Sequence, residues 1–94
     1  MLDFYADWCT YCIQYDTYVF NKPRVFNALK NTILLQADVT KNDAKDKALI
    51  KRVKIFLPPA ILFFKTDGKE IRKKRVNGFM KAEKFLKRVE SALK

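Results

Sequence analysis

Histidine is absent from the 94 residues and cysteine occurs only twice. A four-ligand zinc site therefore cannot be built from imidazoles and thiolates within one chain, and would need a dimer or carboxylates to complete a half-site. Covalent haem attachment requires a histidine directly after the second cysteine, where Ile13 stands. Long apolar runs are also missing. The longest uncharged stretch, IFLPPAILFF at 55–64, is about half of the roughly 20 residues a membrane helix needs, and two prolines interrupt it. No basic segment precedes an apolar one at the start, where Asp3 and Asp7 lie instead, so any export signal is expected upstream. Repeats, low-complexity tracts and flexible linkers are lacking too.

What remains describes one small folded domain. A chain of 94 residues can bury one core but not two. Its 49% hydrophobic and 14% aromatic content argues against disorder despite 32% charged residues. The net charge of +10 is unevenly spread: residues 1–21 hold Asp3, Asp7 and Asp16 and no Lys or Arg, leaving +13 on the other 73. The basic residues peak from Lys69 to Arg75 and recur at Lys81, Lys84, Lys87 and Arg88. They form no known nucleic-acid motif, so they read as solvated faces and no nucleic-acid partner is expected.

Periodicity predicts alternating elements. Met1 to Ala6 and Leu34 to Val39 read as buried strands. Between them Cys9 to Lys30 reads as helical with a break at 21–23, where Asn21 can cap a new turn and Pro23 fits only a first turn. Asp43 to Val53 fits a third helix with Ala48, Leu49 and Val53 inward. Ala60 to Phe64 is a strand, Thr66-Asp67-Gly68-Lys69 a hairpin turn, and Glu70 to Val76 an antiparallel return. A last helix from Lys81 to Leu93 carries the stripe Ala82, Phe85, Leu86, Val89 and Leu93. The order implies an α/β fold, a mixed sheet with helices on both faces.

Cys9-Thr10-Tyr11-Cys12 falls at the first strand-to-helix junction. There the unpaired N–H groups and the helix dipole favour a thiolate, which makes Cys9 the candidate nucleophile. Cys12, one turn on, is placed to resolve a mixed disulfide formed on Cys9. Three other readings of the pair stay open: a structural disulfide, whose loop is too short to constrain the unfolded chain much; two inert buried thiols; and a basic interaction module in which the CxxC is not catalytic.

The stretch from Asp3 to Cys12, DFYADWCTYC, resembles the active-site segment of the thioredoxin superfamily. YADWCTYC, FNKPRVFNAL, LLQADVTKNDAKDKALIK, LPPAILFF and VNGFMKAEKFL together resemble the C-terminal periplasmic domain of the DsbD family of thiol:disulfide interchange proteins, nearly to the end of the chain. The resemblance implies a thioredoxin-like fold over 1–94 as a single domain, without the N-terminal strand and helix with which the family's domain begins. The strand Ile33 to Val39 would then be a hydrophobic sheet edge.

The resemblance also implies roles. Cys9 is the exposed nucleophile, Cys12 the resolving thiol, Pro59 the cis-proline facing the disulfide, Asp3 the buried acid behind it, and Asp16 a second acid of the site. Trp8, Tyr11 and Pro58 are the implied substrate-binding residues. Negative charge near Cys9 disfavours its thiolate and favours the disulfide, so Asp3 and Asp16 point to a reductant, with Asp3 able to accept the Cys12 proton. The expected activity is protein-disulfide reduction without cofactor or metal. The expected partners are protein disulfides and an upstream dithiol donor, such as a membrane electron-transfer domain of the same chain. The expected compartment is the periplasm, with the chain either part of a membrane protein or free-standing.

Overall fold

The computed structural model describes residues 1–93. β1 (Leu2–Tyr5) leads through a short turn into α1 (Thr10–Tyr18) and α2 (Pro23–Leu29), followed by β2 (Leu35–Asp38), α3 (Ala44–Val53) and β3 (Ala60–Leu62). A 3-10 turn (Arg72–Lys74), β4 (Val76–Asn77) and α4 (Ala82–Leu93) complete the chain. The strands lie in the order β2-β1-β3-β4. β1 pairs in parallel with β2 across the helical crossover, and antiparallel with β3. This is the mixed α/β sheet that the element order implies.

Alternation along β1 builds two cores, one on each face of the sheet. Phe4 pairs with Ala60 and Leu2 with Leu62, and this face packs with Cys9, Cys12 and Val39 against Ile50 and Val53 of α3. Asp3 pairs with Ile61 and faces the other way. There Ile61, Phe63 and Val76 pack against Tyr15, Val25, Phe85 and Val89 from α1, α2 and α4.

Four local expectations are corrected. The cap of α2 is Lys22, without a side-chain hydrogen bond, rather than Asn21, and Pro23 takes the first helical position; a helix can start this way because proline lacks the N–H a cap would satisfy. On α3, Ile50 and Val53, one turn apart, face the core and pack with Ile55 on the cluster around Phe4 and Leu62, whereas Ala48 and Leu49 are exposed; the helix buries its two β-branched residues rather than the Ala48–Leu49 side. On α4, Ala92 is buried and joins the stripe. The return strand is also broken: Phe64 bridges Glu70, but Ile61 pairs with Val76. The register gains three residues, which the 3-10 turn Arg72–Lys74 loops out.

That turn sets up a buried use of charge that the composition hides. Arg75 is paired with Glu70, its side chain only 11% exposed. It also donates from Nη2 to the Val53 carbonyl and from Nη1 to that of Lys54 at 3.0 Å, satisfying the open C-terminus of α3. The sequence reading placed Arg75 on a solvated face; it is instead the fastener between hairpin and helix. Arg75→Gln should therefore destabilise the fold by roughly 2–4 kcal/mol, because it strands Glu70 and two carbonyls. Lys73→Gln should stay within about 0.5 kcal/mol. Denaturant midpoints at constant m-value distinguish the two.

At the opposite side β2 is a sheet edge. It spans four residues rather than the longer strand expected, with Ile33, Leu34 and Leu35 exposed.

Candidate active site

The site is assembled at the end of β1. A turn closed by Cys9 N–H donating to Ala6 O at 3.0 Å brings the chain into α1 with Cys9 as its N-cap, in extended backbone. The Cys9 sulfur accepts the N–H of Cys12 at 3.1 Å, one of the donors every helix start leaves unpaired. The two cysteines form a disulfide with Cα atoms 5.2 Å apart. The Cys12 sulfur lies 3.8 Å from the Phe4 carbonyl oxygen, so the pair sits directly over β1. Neither sulfur is prominent: Cys9 is 6% exposed and Cys12 3%. The expectation of an exposed Cys9 is thus corrected in degree, and what separates the two thiols is position at the helix start rather than access.

Two aromatic residues flank the pair. Trp8, half exposed, is held by its indole N–H, which donates to the Thr40 carbonyl at 2.9 Å. Thr40 also accepts from the Asp7 N–H at 2.9 Å, and is itself fixed by the Asp38 carboxylate, which accepts from its N–H and its hydroxyl. These bonds hold the Asp38 carboxyl below the usual range. Tyr11, also exposed, stacks on Phe79 with centroids 5.9 Å apart. Thr40→Val keeps the volume but removes the hydroxyl that receives Asp7. Because Trp8 is the sole tryptophan, its emission should shift in this variant while the melting temperature changes by only a few degrees.

Pro58 and Pro59 are buried, and the peptide bond between them is cis. The Pro59 carbonyl accepts from the Gly78 N–H at 3.0 Å, and the Gly78 carbonyl accepts from the Tyr15 hydroxyl at 2.7 Å. The 78–79 loop therefore joins α1 to the proline loop. Gly78 has φ +85°, a conformation that a side chain would strain. In front of the prolines, Phe56 is 95% and Leu57 66% exposed.

Asp3 is 8% exposed on the α1 side of β1. Burial pushes its carboxyl up to about 7, with Asp16 adding to the rise and the Gln36 amide, 3.5 Å away, opposing it. Asp3 borders a cleft of about 360 Å³ lined by Phe20, Leu29, Leu35 and Gln36, which gives the acid a way to exchange protons with solvent on the side away from the disulfide. Asp16 is exposed on α1 and its carboxyl is raised by partial desolvation. It acts on Asp3 through charge, not contact.

The structure thus gathers Cys9, Cys12, Trp8, Tyr11, Pro58 and Pro59 at one end of the sheet, with Asp3 one residue before Phe4 and Asp16 on the same helix as Cys12. Sequence reasoning missed Thr40, Gly78, Phe79 and Tyr15. Of these only Tyr15 carried a signal, lying one turn beyond Cys12 on the same helix face. Among the described residues no group of acids and cysteines is arranged to hold a metal ion, and no helix is long and apolar enough to cross a membrane.

Residues 1–93 match the thioredoxin-like domain family. The thiol:disulfide interchange protein DsbD of Salmonella typhimurium is 53% identical over 85 residues, covering 90% of this chain and 15% of the relative. That of Escherichia coli K12 is 52% identical with the same coverage. This chain therefore spans about 15% of the length of these relatives. Among solved structures, the C-terminal domain of Neisseria meningitidis DsbD in its oxidised form superposes with a TM-score of 0.86 at 37% identity, covering 97% of this chain and 77% of that one. The reduced form gives 0.85 with the same identity and coverage.

Proposed function

The chain belongs to the thioredoxin-like domain family, and we propose that within it this domain is a protein-disulfide reductase that passes electrons from a dithiol donor to protein disulfides. The observation that carries this reading is the Cys9–Cys12 disulfide capping the first turn of α1. In the reduced protein the Cys9 thiolate attacks one sulfur of a partner disulfide. A Cys9–partner disulfide forms and the partner's other sulfur leaves as a thiolate. Cys12 loses its proton, which is proposed to reach Asp3 on the other face of β1 by way of water, and attacks the Cys9 sulfur, releasing the second partner thiolate and restoring the Cys9–Cys12 disulfide. Two electrons have moved to the partner, and a donor dithiol resets the pair by the same exchange.

The surroundings support the direction. The Cys12 N–H and the dipole of α1 stabilise a Cys9 thiolate. Asp3 and Asp16 oppose it and so favour the disulfide, making the reduced form a ready donor. An Asp3 carboxyl near neutrality is suited to take up and release a proton at working pH. A partner chain is proposed to lie over the exposed Trp8 and Tyr11, beside the loop of the buried Pro58 and Pro59, with Asp16 tuning the charge nearby. The similarity to DsbD favours a periplasmic setting for residues 1–94 as one domain, with the donor a membrane electron-transfer domain in the same or another polypeptide.

Equilibration with glutathione buffers, read by alkylation of free thiols, tests the proposal. A single two-electron transition should appear nearer the thioredoxin value of roughly −270 mV than the roughly −120 mV of a strong oxidant. A pair that forms no disulfide at any poise would remove the enzyme reading.

A further inference from the structure

Arg75 does more than fasten the hairpin: it draws together three cationic segments that are distant in sequence. Its guanidinium ties the end of α3, with Lys51, Arg52 and Lys54, to the 3-10 turn Arg72–Lys74. Arg88 of α4 then donates to the carbonyls of Lys74 and Arg75 at 3.4 and 2.8 Å, which brings Lys84, one turn before it, to the same place. The acids of this region are kept apart from it. Glu70 is taken up by Arg75. Glu83 and Glu90, a heptad apart on α4, share a row of the helix separate from that of Lys84 and Arg88, and Glu83 borders a cleft with Lys22 and Arg24 of the α2 region.

We infer that this surface docks the domain on the anionic face of a lipid bilayer. Charge complementarity carries the choice. The side chains offered are exposed lysines and arginines, and the 3-10 turn and the adjoining α4 flank present no exposed large apolar residue. Attachment through these segments is therefore peripheral and electrostatic, each cation strengthening it about fivefold. The 3-10 turn of the patch leads into β4, the edge strand two places from β1, whose end carries the cysteines. A duplex nucleic acid is disfavoured because the α4 flank is held down by Arg88 and presents no free element to enter a groove. The preference for lipid also rests on the periplasmic reading proposed above.

The test is sedimentation of the 94-residue chain with vesicles of phosphatidylglycerol and phosphatidylcholine, against phosphatidylcholine alone. Binding should require the anionic lipid and disappear at about 0.3 M salt, where the screening length falls to roughly 6 Å. Replacing Lys51, Lys73 and Lys84 by Gln should weaken it roughly a hundredfold. Replacing the exposed Lys30, Lys41 and Lys65, an equal loss of charge, should weaken it less than about fivefold. Equal losses in both variants would reduce the effect to net charge and overturn the inference. So would absence of binding to the anionic vesicles, or tighter binding to a DNA duplex at the same salt. Reduction of a small disulfide should be unchanged in the Lys51, Lys73, Lys84 variant. A wild type inactive in that assay would sink the reductase proposal instead, while the vesicle measurement still reads the surface.

Discussion

Cys9→Ser should lower protein-disulfide reduction by at least about a thousandfold, since the one thiol left, Cys12, lacks the helix-cap position that favours a thiolate. Cys12→Ser should also stop turnover, but at a different point. Its Cys9 still attacks, and with no resolving thiol the partner stays attached as a stable mixed disulfide. The asymmetry arises from the helix start. With both sulfurs nearly buried in the disulfide, exposure does not distinguish them. Only the Cys9 sulfur occupies the cap position and receives the Cys12 N–H, so in the reduced protein Cys9 should hold the larger thiolate fraction. Non-reducing gels of each variant mixed with an oxidised partner, and alkylation rates of the two thiols, read this directly. Equal alkylation rates, or adducts trapped on Cys12 in Cys9→Ser, would reverse the assignment.

Asp3→Asn should stabilise the protein and impair it at once. The Asp3 carboxyl is raised from 3.8 to about 7, chiefly by burial. Between those values the folded state keeps a proton that the unfolded chain has released. Wild-type stability therefore falls as pH rises from about 4 to about 7 and is level above. Asparagine has no such proton to keep, so the variant should be more stable by roughly 2–4 kcal/mol at pH 8 and nearly equal to wild type at pH 3. Urea titrations at the two pH values check the sign. The same substitution removes an acceptor for the Cys12 proton, slowing release of the mixed disulfide, and removes negative charge near Cys9, lowering its pKa. For a two-electron couple each pKa unit corresponds to roughly 30 mV, so the variant becomes a weaker reductant by a few tens of mV. A Cys9 pKa that rises or stays fixed would make Asp3 a structural residue, and an advantage over wild type no larger at pH 8 than at pH 3 would mean that folding leaves the Asp3 pKa unshifted.

Effects that act within a turn or two of chain were legible in the sequence. The CxxC at a strand-to-helix junction, the apolar stripe of α4, the turn at 66–69 and the order of elements all follow from spacing and from residues whose backbone preferences are local. The same is true of the Cys9 cap, because a helix start needs no distant partner. Other features depend on which segments meet. Thr40 reaches Trp8 only because β2 lies parallel to β1. Arg75 becomes a fastener only because a three-residue excess in the return strand turns it toward the end of α3. The inward face of α3 depends on its packing against the sheet face around Phe4 and Leu62, and the Asp3 pKa depends on how much water its neighbours exclude. Desolvation and long-range hydrogen bonds are sums over groups that the chain brings together only on folding. A sequence can name an acid or an arginine, but only the packed fold decides whether that charge is solvated, paired or held neutral.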